Sequence, residues 1–243
     1  MSYFESRLKA NFEDIKDIKL RLKICEELGI KNVILEPKNN LNKISSDLKK
    51  KIENETNIRV YYRINLKPNS VEFFKKKIKK YNNFPDILSV ESLNKEVQIH
   101  AARDSRVDIL SFSDQEIMKT LTPGVVSLIK QNKSFIEFSL APIMVKKKPI
   151  QSKNFRNLYR FTKLVRELKA NFILSGNFEE LFDLRHPRAM MSISYSLLDI
   201  PLREVKKIFK DNPRIILGRV QKRQSPIIFE GGLKLIKGEN KND

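Results

Sequence analysis

The chain has 243 residues, and 48 Lys or Arg against 29 Asp or Glu give a formal charge of +19 at pH 7, a field that attracts polyanions such as nucleic acid or an acidic membrane face. Hydrophobic residues make up 40%, so a disordered basic tail is excluded as the whole molecule, and the length suits one α/β barrel or two smaller domains. The one cysteine, Cys25, excludes a disulfide framework and a Cys-rich zinc site and fits a reducing, cytoplasmic setting. No run of about 18 apolar residues and no signal-peptide apolar core at residues 1–7 is present, so no membrane partner is expected.

In chain order, Ile15, Ile18, Leu22, Cys25 and Leu28 recur at steps of three or four, which predicts a helix within 12–28 that Gly29 ends. Residues 32–37 read as a short buried strand, and 45–54 as a weaker helix capped by Ser45 or Ser46. A strand over 58–66 ends at Pro68. A helix over 70–81 carries Val71, Phe74, Ile78 and Tyr81 on one face and lysines on the others. The alternation continues with a strand at 86–90, a helix at 93–103, a strand at 107–112 and a helical region at 114–131 broken at Pro123-Gly124. A strand at 134–140, a helix at 153–169 and a strand at 172–175 follow, then two helices within 187–211, the second opened by Pro201. Ile215 to Leu217 reads as a last strand.

Strands alternating with helices over the whole length predict parallel βαβ units. There are about seven strands, or eight if residues 2–4 contribute one. With only 7 Gly and no Gly-rich phosphate loop after any strand, a closed or nearly closed barrel is favoured over a doubly wound open sheet. The barrel domain is expected over 1–218. Residues 219–243, polar and basic around the apolar run Ile227-Ile228-Phe229, are expected to be a poorly ordered tail.

In such a barrel, chemistry belongs at the C-terminal ends of the strands, here Glu36, Asn65, Glu91, Ser113, Ser139, Asn177 and Arg219. Only His100 and His186 occur, the first mid-helix and the second between Arg185 and Arg188, so a His-rich multi-metal hydrolase site is not available. Cys25 lies on an apolar stripe and reads as core. A stand-alone metal-dependent phosphoesterase of a related barrel superfamily, using Glu36, Glu91 and His186, is the alternative function.

The basic features are more specific. Lys153, Arg156, Arg160 and Lys163 fall at steps of three and four, opposite the apolar face of Leu158, Phe161, Val165 and Leu168. At a rise of 1.5 Å per residue they form a solvent stripe roughly 15 Å long. Lys146, Lys147 and Lys148 stand just before it, and few acids dilute the patch. Arg103, Arg106, Arg185 and Arg188 sit near predicted turns, where a guanidinium forks onto phosphate; for Arg103 and Arg106, Asp104 and Asp108 offer internal partners instead. Arg219, Lys222 and Arg223 complete the candidate RNA-binding set.

Four segments occur in a telling order: Ala102-Arg103-Asp104-Ser105-Arg106-Val107-Asp108-Ile109-Leu110, Ile136-Glu137-Phe138-Ser139-Leu140, Ile173-Leu174-Ser175-Gly176-Asn177 and Leu184-Arg185-His186-Pro187-Arg188. The chain thereby resembles archaeal ribonuclease P protein component 3, the homologue of the 30-kilodalton subunit of eukaryotic RNase P and MRP, over roughly residues 1–220. The resemblance implies a TIM-barrel-like fold related to PHP phosphoesterases but without their His-rich metal site. It implies a non-catalytic subunit of the enzyme that removes the 5′ leader of precursor tRNA, with the hydrolysis performed by the RNase P RNA. The implied partners are that RNA, precursor tRNA in the holoenzyme and a second small protein subunit. No cofactor is expected on the protein, and magnesium is expected on the RNA.

Overall fold

The computed structural model describes residues 3–39 and 41–224. Seven strands run β1 (Phe4–Ala10), β2 (Asn32–Pro37), β3 (Arg59–Leu66), β4 (Ile87–Val90), β5 (Ile109–Phe112), β6 (Phe135–Ser139) and β7 (Phe172–Ser175). Each pairs in parallel with the next, in sequence order around the sheet. Between and after them lie α1 (Ile15–Glu27), α2 (Ser46–Glu53), α3 (Val71–Ile78), α4 (Lys95–Arg103), α5 (Gln115–Met118), α6 (Pro123–Gln131), α7 (Lys148–Glu167), α8 (Pro187–Ser196), α9 (Leu202–Lys206) and α10 (Asn212–Gln224). The result is a nearly closed α/β barrel of TIM type. The helix starts follow local chemistry: Asp14, Ser45, Ser70, Asn94, Asp114 and Thr122 each accept a backbone N–H of the first turn they precede.

Among the described residues no ladder joins β7 to β1. The seam is bridged instead by the Glu5 carboxylate, whose Oε1 accepts from Gly176 N at 3.1 Å and from Arg7 N at 3.0 Å. This close approach requires glycine, because a Cβ on Gly176 would lie 2.7 Å from Glu5 Oε2 and 2.7 Å from the Phe178 ring.

The two faces of the strands part along a period of two. Outward residues such as Leu35, Ile64, Val90, Phe112, Phe138 and Leu174 pack under the helices in one continuous apolar layer. The inward residues form stacked tiers. At the N-terminal floor are Phe4, Ile34, Ile87, Ile109, Phe135 and Ile173, sealed from below by Ile216, Leu217 and Val220 of α10. Above the floor the interior is polar and still buried: Arg7, Glu36, Arg63, Ser89, Ser111 and Glu137.

Three expectations need correction. Ile215–Leu217 is not a strand. It lies in α10, where Ile216 and Val220, four residues apart, plug the barrel floor while Ile215 faces out, so the run reports a helical face rather than a pleat. The first strand is Phe4–Ala10, not a fragment at 2–4. Residues 219–224 of the expected tail continue α10 and are held by it; residues 225–243, with Ile227-Ile228-Phe229, lie outside the described residues. Among the described residues no helix is long and apolar enough to cross a membrane.

Candidate nucleic-acid interface

The strand ends named from the sequence do converge, Arg219 excepted, since α10 places it at the opposite end of the barrel. What the sequence reading missed is the pair of arginines beneath them. The side chain of Arg7 is wholly buried and lies between three carboxylates: Nη2 is 2.8 Å from Glu36 Oε1 and 3.1 Å from Glu91 Oε2, and Nη1 is 3.4 Å from Glu137 Oε2. Arg63, equally buried, donates from Nη1 and Nη2 to Glu137 Oε1 and Oε2 at 2.8 and 2.6 Å, from Nε to Ser89 Oγ at 2.8 Å, and lies 2.9 Å from Glu36 Oε2. Ser111 donates to Glu137 at 2.7 Å, Asn65 to Glu91 at 2.7 Å, and Ser113 also donates to Glu91.

The electrostatics follow. Burial alone would raise the Glu137 carboxyl, but the charges of Arg63 and Arg7 and the bonds from Arg63 and Ser111 outweigh it and hold the carboxyl at about 2. Glu91 is likewise held below the usual carboxylate range, burial being outweighed by Arg7, Ser113 and Asn65. Glu5 has only backbone donors. Burial dominates there, with Glu137 adding repulsion, and its carboxyl is pushed up to about 7.

The place between the carboxylates is thus filled by guanidinium groups. The phosphoesterase alternative relies on Glu36 and Glu91, which are both bound to Arg7, and on His186, whose Nδ1 instead accepts Arg188 N at 3.0 Å to cap α8. That alternative is not favoured. His100 is a half-buried helix residue, and Cys25 is buried in the core with its thiol pushed well up by that burial.

The cations divide into free and committed groups. Lys146, Lys147, Lys148, Lys153, Arg156, Arg160 and Lys163 are all exposed, and Lys148 and Pro149 open α7 rather than standing in a loop before it. Apart from Arg160, which packs 5.7 Å over the Phe161 ring, and Lys153, which lies near enough to Glu116 to lower its carboxyl, the group forms no ion pair among the described residues. Arg103, Arg188 and Lys222 are exposed as well. Arg106 instead forks onto Asp104 at 2.6 and 2.8 Å, and Arg185 donates to the carbonyls of Phe182 and Leu184. Arg223 grips buried Asp108 with both Nη atoms, at 3.0 and 2.8 Å, while Arg219 approaches Asp108 at 3.9 Å and donates to the Lys133 carbonyl. These last two arginines fasten α10 to the barrel floor. In sequence they look like tail cations, because nothing local marks Asp108 as their partner.

No curated protein matches the chain. Among solved structures, a chain in a cryo-EM structure of archaeal ribonuclease P with mature tRNA superposes with a TM-score of 0.79 at 17% identity, covering 97% of this chain and 99% of that one. A. niger ochratoxinase superposes at 0.59 with 8% identity, covering 89% of this chain and 71% of its own. Identities this low speak to fold alone, and the fold they share is the barrel described above. The decisive match is to the family model for RNase P subunit p30, which takes in residues 3–225 and so every strand, the arginine-filled interior and the helix that plugs the floor. The chain belongs to the RNase P subunit p30 family and is a protein subunit of the ribonuclease P holoenzyme, which matures the 5′ end of tRNA.

Proposed function

We propose that the chain binds the catalytic RNA of ribonuclease P through its exposed cations and makes or breaks no covalent bond itself. The observation that carries this reading is the α7 stripe with the lysines at its start: a run of cations that folding leaves in solvent, on a chain of net charge +19. Such a stripe releases counterions from RNA and offsets repulsion between phosphates, so the RNA keeps its active shape at lower magnesium, the ion that would serve the RNA. A rigid row of cations reads backbone shape rather than sequence, which suits a folded RNA. The particle whose chain superposes best of those above holds mature tRNA, which supports precursor tRNA as the substrate met in the assembled enzyme.

A second small protein subunit is the remaining part of the reading. It is supported by a cavity of about 560 Å³ beside the stripe, lined by Ile143, Met144, Phe155, Ile193 and Leu197 with Arg156 at its edge. Leu197 is 54% exposed there, and neighbouring Tyr195 56%, an apolar cost that a protein partner would remove.

The test is RNA binding across salt concentrations with Arg156→Ala/Arg160→Ala. Both side chains are exposed, so the variant folds as the parent does. Loss of two phosphate contacts lowers the slope of log affinity against log salt by about 2. An unchanged slope contradicts the assignment of the stripe.

A further inference from the structure

A second group of cations lies away from α7, at the mouth of the barrel. Lys9 stands near the end of β1, Lys38 follows β2 and Lys67 follows β3, so three successive strand ends each present one lysine. With Glu179 they line a cavity of about 180 Å³. Lys9, Lys67 and Glu179 also line an adjoining space of about 730 Å³, together with Ser113 and Asn177.

One exposed carboxylate, Glu179, lines the cavity with them. Lys9 Nζ lies 2.9 Å from Glu179 Oε1, and the Glu179 side chain is 70% exposed. Among the described residues neither Lys38 nor Lys67 has an ion pair within 4.0 Å. The hydrogen bond and charge of Lys9, joined by the charges of Lys38 and Lys67, outweigh burial and hold the Glu179 carboxyl below its usual range. The other acids nearby are engaged: Glu36 and Glu91 are bound to Arg7, and Asp114 accepts from Glu116 N and Ile117 N as the cap of α5.

Two further features mark the mouth as a place for a ligand. Asn177 is 8% exposed, in the left-handed region at φ 50°, and its Oδ1 has no hydrogen-bond partner although the residue lines the mouth. Rotating that amide turns its N–H donors to the same place. The backbone of Glu179 is fixed, because buried Arg21 donates to its carbonyl at 3.0 Å while also pairing with Asp17 at 3.0 Å. The side chain is therefore the part free to leave.

We propose that the barrel mouth is a phosphate-binding site formed by Lys9, Lys38 and Lys67, in which the carboxylate of Glu179 holds the place of a phosphoryl group until one binds. A water takes about 30 Å³ of liquid, so the smaller cavity admits a tetrahedral anion with several waters. The ligand class is a phosphoryl group, carried either by an RNA or by a free small anion. The site rests on the geometry of the mouth and is independent of the α7 stripe, so the two stand or fall separately.

The test uses the full chain and titrates inorganic phosphate, followed by calorimetry and backbone amide shifts. Wild type saturates, with shifts at the ends of β1, β2 and β3 and at residues 177–179. Glu179→Gln, which removes the competing charge at an exposed position, tightens binding by roughly tenfold. Lys38→Ala/Lys67→Ala abolishes saturation, and Arg156→Ala/Arg160→Ala leaves it unchanged. A 5′-phosphorylated oligoribonucleotide and its 5′-hydroxyl form, each set against phosphate already bound at the mouth, assign the source: displacement by the phosphorylated form alone assigns the site to an RNA end, displacement by both to an internal RNA phosphate, and displacement by neither to a free anion. No saturable phosphate binding by wild type or Glu179→Gln, or binding that Glu179→Gln does not tighten, overturns the proposal.

Discussion

Arg7 and Arg63 show how a strongly basic chain can use positive charge internally. Each is fully buried, and each would be costly alone in a barrel interior, as would the carboxylates around them. Because such a cluster offsets its own desolvation rather than adding net stability, removing one member is worse than never having built it. Arg7→Met leaves Glu91 buried without its counter-charge and Glu36 with Arg63 alone, and is expected to lower stability by about 3–5 kcal/mol, read from the urea midpoint at constant m-value. A loss below about 1 kcal/mol would contradict the internal counter-ion role.

The same cluster predicts an acid and an alkaline flank of stability. Glu137 sits at about 2 in the fold against an ordinary 4.5, so the stability its ionised form confers over its protonated form is present above pH 4.5 and is lost as pH falls toward 2. Glu5 is shifted the other way, to about 7, so the fold favours its protonated form and stability falls as pH rises from 4.5 through 7. Glu5→Gln keeps an oxygen for the Arg7 and Gly176 amides and removes the titration. Urea midpoints at pH 5 and pH 8 are expected to differ in the parent and to draw together in the variant; parallel behaviour would show that Glu5 is not the titrating group.

Among elements, β2 to β7 and most helices were legible from the sequence, the strands because they are short apolar runs between polar turns, the helices because apolar residues recur at steps of three or four and Ser, Asp, Asn and Thr caps mark where they start. The barrel interior was not legible. A buried charge has the same letter as a solvated one, so nothing local in Glu5-Ser6-Arg7 marks β1 as interior, although the fold buries all three. A usable signal was present in the shared parity of polar residues in the strands and one residue past them, Ser89 with Glu91, Ser111 with Ser113 and Glu137 with Ser139, each pair two apart and so on one face. The strand expected at 215–217 failed for the opposite reason: a short apolar run is as compatible with a buried helix face as with a pleat, and only packing under the floor decides. Ile216→Ala should open a cavity between α10 and the floor and cost about 2–5 kcal/mol in thermal or urea unfolding. An effect as small as a surface substitution would mean that α10 does not seal the barrel.

For the molecule as a whole, the division of charge is the functional point. Cations that meet buried carboxylates hold the barrel together, at Arg7, Arg63 and Arg223, while the α7 stripe and, at the mouth, Lys38 and Lys67 face outward. The candidate RNA-binding set mixed the two kinds, because charge clustering along a chain does not distinguish a cation with a distant partner from one without. On the function proposed above, a subunit so built lends positive potential to the RNA while its buried carboxylates stay paired with arginine. The most direct measurement is reconstitution of leader removal with the RNase P RNA and partner subunits over a range of magnesium, with and without this chain. The account predicts that the wild-type chain lowers the magnesium needed for cleavage, that Arg156→Ala/Arg160→Ala raises it again, and that the chain without RNA cleaves nothing. Cleavage by the purified chain alone, or a magnesium requirement that does not change when the chain is added, would contradict it.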